Sequence, residues 1–323
     1  MKKSLLLCAL IAVAVWLGNT SRFHAPDDTA TPRLIAHRGL HHVFTGEDRD
    51  NDTCRANRLE PIQHAFIENT IPSMRAAFAA GADVVELDVH LTPDKVFAVF
   101  HDWRLECQTN GEGVTEEQPF SLLKSLDIAY NLSDDGVTFP LRGQGVGLMP
   151  SLSEVFEAEL DGRYLVNFKS RRKEEGTALL SMLDNAAVRE QVFAVYGGGP
   201  PTRAVLAARS DMIGFDRKHV KDCLLRYALV GWFGRVPDAC RSGLVGVPMN
   251  VAPWLWGWPH RFVSRLQAAG TEVVLWGPYD GSGFSSGIDD ADTLARVPVG
   301  FDGYLWTNKI ELIGPLVASY KGG

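Results

Sequence analysis

Basic charge is scarce in this 323-residue chain: 32 Lys and Arg stand against 39 Asp and Glu, a formal net charge of −7. Binding along a nucleic-acid backbone needs a basic stripe. The one notable basic run, Arg171-Arg172-Lys173, reads as a solvated loop or helix start, so nucleic acid is not an expected partner. Cysteine is also sparse, five in all, and no Cys-x-x-Cys spacing suggests zinc. No apolar run reaches the roughly 20 residues of a spanning helix. Internal repeats and low-complexity tracts are missing too, which sets aside solenoids and fibrous folds. What is present, 46% apolar and 22% charged residues, suffices for a globular core.

The longest apolar run, Leu5 to Leu17, follows Met1-Lys2-Lys3, the charged start and short hydrophobic stretch of an export signal. Ala12-Val13-Ala14 has the small-x-small form of a cleavage site but lies inside that run. A cleaved signal and a retained short membrane anchor therefore both stay open for residues 1–26. Either reading places residues 27–323 outside the cytoplasm, as a periplasmic, secreted or membrane-anchored protein.

From residue 33 onward, short β-branched runs alternate with helical patterns. Arg33 to His37 reads as a first strand. A helix starts at Asn69-Thr70-Ile71-Pro72 and stops at Gly81, start and stop residues of the expected kind. Asp83 to Val89 and Val96 to Phe100 read as the next two strands, and Tyr164 to Phe168 as the fourth. Val192 to Tyr196 and Met212 to Phe215 follow, with helices over Leu152–Leu160 and Ala178–Ala187. Leu244 to Val247, Glu272 to Trp276 and Gly303 to Trp306 then give three candidates for two remaining places, so one is expected outside a barrel of eight strands. The pattern predicts an α/β chain, a (β/α)8 TIM barrel with inserted loops on the catalytic face.

Ionisable groups cluster at the ends of the early strands. Glu86 and Asp88 are two apart in one strand, so both point to one face. Held together they repel, and a hard oxygen-seeking cation such as Mg²⁺ or Ca²⁺ would remove the penalty. His37 and His101 titrate nearest neutral pH and suit proton transfer. Arg38 offers a fork of donors matched to phosphate oxygens. His90 shares the parity of Glu86 and Asp88 and reads equally as site lining or strand-end structure.

The order His37-Arg38-Gly39, Glu68-Asn69-Thr70, Glu86-Leu87-Asp88-Val89, His101-Asp102 and Thr109-Asn110-Gly111 resembles the glycerophosphodiester phosphodiesterase family, most closely over residues 33–113. A looser likeness continues through Met149–Val155, Asn167-Phe168-Lys169, Val274-Leu275-Trp276 and Gly300–Asn308. The resemblance implies a TIM-barrel hydrolase that cleaves a glycerophosphodiester to an alcohol and glycerol phosphate with one divalent ion, Mg²⁺ or Ca²⁺. It implies His37 and His101 as the catalytic pair, and Arg38, Lys169 and Trp276 as substrate contacts. Glu86, Asp88 and Asn167 would be the metal ligands, with Glu68 as a supporting acid. The attacker could be water or a neighbouring hydroxyl of the substrate, and either histidine could be the acid.

Two departures stand out. Asn167 occupies a place where the family usually has Glu, and Thr307-Asn308-Lys309-Ile310 stands where it often shows Thr-Asp-x-Pro. An amide oxygen ligates without charge, so ion affinity should fall. These departures admit a non-catalytic phosphodiester-binding barrel as an alternative. A further alternative is phospholipase D-like action on lysophospholipids at a membrane surface. That reading draws on Pro253-Trp254-Leu255-Trp256-Gly257-Trp258-Pro259, whose indoles suit a headgroup layer, although packing between barrel and a late helix is the favoured reading of the segment.

Two irregular stretches, Leu40–Ile67 with its acidic residues 47–52 and the glycine-rich Asn131–Leu148, are expected to shape the pocket. With Cys8 in the leader, four cysteines remain, an even set suited to an oxidising compartment. Cys54, in the insertion after the first strand, and Cys107, just past His101, belong over the same barrel face. The expected pairs are Cys54 with Cys107 and Cys223 with Cys240.

Overall fold

The computed structural model describes residues 2–21, 30–44, 53–281 and 286–321. Its strands are β1 (Arg33–His37), β2 (Val84–Leu91), β3 (Phe97–Val99), β4 (Arg163–Phe168), β5 (Val192–Gly197), β6 (Gly214–Phe215), β7 (Leu244–Pro248), β8 (Glu272–Trp276) and β9 (Tyr304–Thr307). Parallel ladders give the order β6-β5-β4-β2-β1-β9-β8-β7, with β3 off that path. This is a nearly closed barrel of parallel strands ringed by helices; among the described residues no ladder joins β6 to β7.

The surplus strand is not one of the late three. β7, β8 and β9 all lie in the barrel, and β3 lies outside it, antiparallel to β2 with Val89 opposite Val99. The reason is chain length. A parallel crossover needs a dozen or more residues, whereas a tight turn at Thr92–Lys95, closed by Lys95 N–H to the Thr92 carbonyl at 3.0 Å, separates β2 from β3. The helix expected over Ala178–Ala187 is two, Lys173–Leu183 and Ala186–Gln191, broken where Asn185 caps the second. The helix after β1 is closed as its sequence demands: Thr70 and Ser73 form a reciprocal capping box at the start of Ile71–Ala79.

Alternation along each strand separates two cores. Val85, Leu87 and Val89 face the surrounding helices. Ile35, Val84, Leu165, Val274 and Tyr304 meet inside the barrel and fill its floor. Two positions further along the same strands are His37, Glu86, Asn167, Trp276 and Trp306, so the parity that packs the floor also aims these groups at the rim.

The inserted segments lie over that rim. Ala56, Leu59, Leu105, Leu132 and Leu141 bury one another in a separate apolar cluster, which gives both irregular stretches a core of their own. Residues 47–52 fall outside the described residues. Cys54 pairs with Cys107 and Cys223 with Cys240, as expected. The first bridge joins two walls of the cavity described below across 53 residues, a loop for which chain entropy implies about 4 kcal/mol of stabilisation. Replacing Cys54 and Cys107 together by Ser is therefore expected to lower unfolding free energy by roughly 2–4 kcal/mol, measured by chemical denaturation. The same shift should be absent when wild type and variant are compared under reducing conditions.

Candidate active site

β1, β2, β4 and β9 end at a cavity of about 340 Å³ lined by His37, Arg38, Glu68, His101, Asn167 and Lys169 among others. Beneath it Glu86 and Asp88 are wholly buried. Asp88 is held from every side: Asn69 donates its amide to Asp88 Oδ2 at 3.0 Å and accepts the Asp88 N–H at 3.0 Å. Asn167 Nδ2 donates to Asp88 Oδ1 at 2.8 Å, Arg38 Nε lies 3.1 Å from Oδ2, and Lys169 Nζ lies 3.5 Å from Oδ1. Burial opposes ionisation of Asp88, but Lys169, Arg38 and Asn69 outweigh it and hold its carboxyl below the ordinary range. Glu86 accepts hydrogen bonds from the Tyr196 hydroxyl at 2.5 Å and the Arg38 N–H at 3.2 Å. Burial, and then the charge of Asp88, push Glu86 up to about 8.

The turn after β1 makes these contacts possible. Arg38 sits at φ +57° and Gly39 at φ +81°, the left-handed region in which side chains are uncommon. A Cβ at Gly39 would come within 2.5 Å of Ser73 Oγ, so no larger residue fits. The turn sends the Arg38 guanidinium back to Glu68 at 3.2 Å and to Asp88. Against burial, Glu68, Asp88 and Glu86 hold Arg38 fully protonated.

The two histidines have unlike neighbours. His37 Nδ1 lies 2.6 Å from Asn308 Oδ1; the amide oxygen can only accept, so Nδ1 carries the hydrogen and Nε2 is left toward Glu86, 3.8 Å away. Asn308 is itself fixed, its backbone N–H and Nδ2 donating to Asp289 at 2.6 and 2.7 Å. His101 Nδ1 lies 2.7 Å from Asp102 Oδ1. Burial and then Arg38 lower both imidazoles well below their usual range, while burial and then Glu68 raise Asp102 to about 7. His101 comes from the segment after β3, not from a barrel strand, yet it faces the same cavity.

His90 does not line the cavity. It is buried with Nε2 3.3 Å from the His101 carbonyl, a support for the segment that carries His101. Trp276 is likewise elsewhere. It lines a neighbouring, more apolar cavity of about 540 Å³ with Phe215, Leu224, Val251 and Trp306, and Ser286 lines both cavities. Its ring lies over Gly246, where a Cβ would meet it at 2.3 Å. Asn69, Asp102, Tyr196 and Asp289 had no role assigned from sequence. Asn69 and Asp102 stand inside quoted motifs and were within reach of sequence reasoning; Tyr196 and Asp289 carry no such signal.

Glu86 and Asp88 offer hard carboxylate oxygens side by side, and Glu86 is raised first by burial and then by the charge of Asp88, a repulsion that a divalent ion between them would relieve. The pair therefore fits a divalent ion. Among the described residues no group of three or more His, Cys, Asp or Glu is placed to hold one, so a third protein donor would have to be an amide. Asn167 presents its Nδ2 to Asp88 and turns Oδ1 toward Gly197, which has no side chain there. Its oxygen becomes a ligand only if the amide rotates.

The chain is thus an α/β-barrel protein with a buried, acid-paired pocket at the carboxyl ends of its strands. The family model described as glycerophosphoryl diester phosphodiesterase family matches residues 37–197, and on that match the chain belongs to this family. A glycerophosphodiester phosphodiesterase of Caldanaerobacter subterraneus is 38% identical over 102 residues, 32% of this chain and 39% of that protein. The chain thus matches about two fifths of the length of that curated relative, and similarly for one from Bacillus altitudinis, 37% of which is covered. Among solved structures, the glycerophosphoryl diester phosphodiesterase domain of a Mycobacterium tuberculosis protein superposes with a TM-score of 0.64 at 17% identity, over 88% of this chain and 99% of that one. An Oleispira antarctica phosphodiesterase, solved with its product sn-glycerol-3-phosphate, gives 0.55 at 17% identity, over 91% and 98%. At these identities the structural likeness is one of fold.

The proton on Glu86 ties ion binding to pH. With its carboxyl up at about 8, Glu86 is protonated at neutrality and must release that proton to ligate. Affinity for Mg²⁺ or Ca²⁺ is expected to rise with pH and level off above about 8. Titration calorimetry at pH 7 in buffers of different ionisation enthalpy should report close to one proton released per ion; no release would contradict this state of Glu86.

Proposed function

We propose that this protein hydrolyses glycerophosphodiesters to an alcohol and glycerol phosphate. The observation that carries the reading is a single cavity lined by two imidazoles, each with Nδ1 anchored by a neighbour, together with two cations, Arg38 and Lys169. The Arg38 fork and Lys169 receive the phosphate and hold its non-bridging oxygens, favouring the charge that grows there in the transition state. A divalent ion, when held by Glu86 and Asp88 with Asn167 beside them, would supply further compensation of the same charge. Glu68 keeps the guanidinium aimed.

The neighbours divide the proton work. Asn308 accepts from Nδ1 and so leaves Nε2 as the basic nitrogen of a neutral ring, so His37 is the base that takes the proton from water or from an adjacent substrate hydroxyl. Asp102 beside His101 shares one proton with it near pH 7, since an acid raised to about 7 and an imidazole in contact form one titrating unit. With that proton on Asp102 donating to Nδ1, Nε2 carries the ring hydrogen, and His101 gives it to the departing alkoxide as the Asp102 proton passes to Nδ1.

The full chain incubated with glycerophosphocholine and Mg²⁺ or Ca²⁺ should yield glycerol phosphate by phosphorus NMR, and chelator should suppress it. His37→Ala and His101→Ala are each expected to lower kcat by about 10²–10⁴-fold with unchanged melting temperature. Full turnover in either variant overturns the assignment of proton transfer, and an inactive wild type across a diester panel favours a non-catalytic binding barrel.

A second reading has its own observation. The apolar cavity with Trp276 adjoins the catalytic one, which suits a lysophospholipid whose chain lies there while its phosphate meets the histidines. Trp276→Ala should then lower kcat/KM for lysophosphatidylcholine at least tenfold and leave glycerophosphocholine within about twofold, since losing one large apolar contact is worth roughly 1–3 kcal/mol. Equal effects on both substrates would remove this reading.

A further inference from the structure

Among the described residues, the amino-terminal helix, Lys2–Asn19, exposes apolar side chains along most of its length. Leu5 is 67% exposed, Leu10 59% and Trp16 51%, and Leu6, Leu7, Ile11, Val13 and Leu17 are exposed as well. These positions fall on every side of a helix, so there is no single stripe with which to cover a barrel or a second copy of the chain. A helix apolar all round belongs in a protein core or in lipid.

Its carboxyl end, by contrast, is built into the barrel. Arg265 donates to the Gly18 carbonyl at 2.8 Å and to Asn19 Oδ1 at 3.0 Å. Arg261 donates to the Thr20 carbonyl at 2.9 Å, and Ser21 Oγ to the Gly257 carbonyl at 2.9 Å. Asn19 Nδ2 donates to the Trp232 carbonyl. A leader destined for removal needs no such contacts, and its loss would strip Arg265 of two of its acceptors.

Among the described residues, exposed aromatic side chains stand next to this junction, at Trp232 and Phe233 beside the carbonyl that holds Asn19 and in the segment that leads to Gly257. Phe233 is 54% exposed, Trp254 83%, Trp232 40% and Trp256 38%. Trp256 is pinned by its Nε1 donating to the Ala228 carbonyl at 2.8 Å. Leu225 and Leu229 are exposed on the helix Arg217–Val230, whose Ala228 carbonyl holds Trp256. Exposed apolar groups gathered like this mark an interaction surface, and indoles with one apolar and one polar end favour the boundary between lipid and water.

We propose that the amino-terminal helix is retained and enters a lipid bilayer, and that Trp232, Phe233, Trp254 and Trp256 form a collar seating the barrel on the headgroup layer. The apolar run from Leu5 to Leu17 rises about 20 Å, short of a hydrocarbon core of roughly 30 Å. Among the described residues no helix is long and apolar enough to cross a membrane. The occupant is thus the near side of a bilayer. This surface is independent of the catalytic reading, since it includes none of its residues.

The test uses the full chain, expressed with its natural amino terminus. Intact-mass analysis of the mature protein should retain residues 5–21. The protein should float with phosphatidylethanolamine–phosphatidylglycerol vesicles and show a blue shift of tryptophan emission on binding. Trp232→Ser with Trp254→Ser should cut the vesicle-bound fraction at least fivefold with melting temperature unchanged. Leu10→Glu provides a second variant, distant from the barrel, expected to act in the same direction. A mature chain beginning after Ser21 overturns the proposal. So does a full chain that stays with the soluble fraction, whether as monomer or as dimer, and so do variants that float like wild type.

Discussion

The interaction on which the rest of this site depends is the clamping of Asp88. A carboxylate with no solvent access is costly unless its oxygens are satisfied. Here Asn69, Asn167, Arg38 and Lys169 converge on it from the turn before the helix Ile71–Ala79, from β4 and the residue that follows it, and from the turn after β1. Each of those residues is thereby fixed in turn. Arg38 reaches Asp88 only because its own backbone adopts a left-handed turn, and Lys169 follows directly on a strand registered with Asp88 opposite Asn167. The charge at the bottom of the pocket organises the cationic groups, Arg38 and Lys169, above it.

Glu86 stands in contrast although it lies two residues away on the same face. The cations that serve Asp88 are spent there, and Glu86 keeps a proton. One buried acid ionised and its neighbour protonated is the outcome expected of like charges sharing one dry site. The histidines repeat the asymmetry one layer higher, one beside an amide and the other beside an acid. Neither difference is visible in the spacing of the motifs.

Much of the architecture was legible because two periods govern it. Alternation along Arg33–His37, Asp83–Val89 and Tyr164–Phe168 gives both the barrel floor and the residues at its rim. The miscounted strand, Val96–Phe100, has the apolar composition of a barrel strand and fails only on the brevity of the segment before it, a topological argument rather than a compositional one. Trp276 was expected among the substrate contacts on the family resemblance, and it lines the neighbouring cavity instead. Its position around the ring, which decides the cavity it enters, depends on closure of the whole barrel. Asp289 and Tyr196 sit far from the early motifs and acquire meaning only through Asn308 and Glu86. The Cys54–Cys107 bridge followed from placing both residues over one barrel face, and Cys223–Cys240 is the pair that then remains.

The missing ladder between β6 and β7 has a consequence for the apolar cavity. Phe215 on one side of that seam and Gly246 and Pro248 on the other all line it. Elsewhere, enlarging the girth of the sheet would break backbone hydrogen bonds between neighbours. Here the two strands meet through side chains alone, and displacement costs packing contacts, each individually small. Tolerance to bulkier occupants is therefore concentrated at one expansion joint, while the opposite flank, holding the acids and imidazoles, keeps its dimensions.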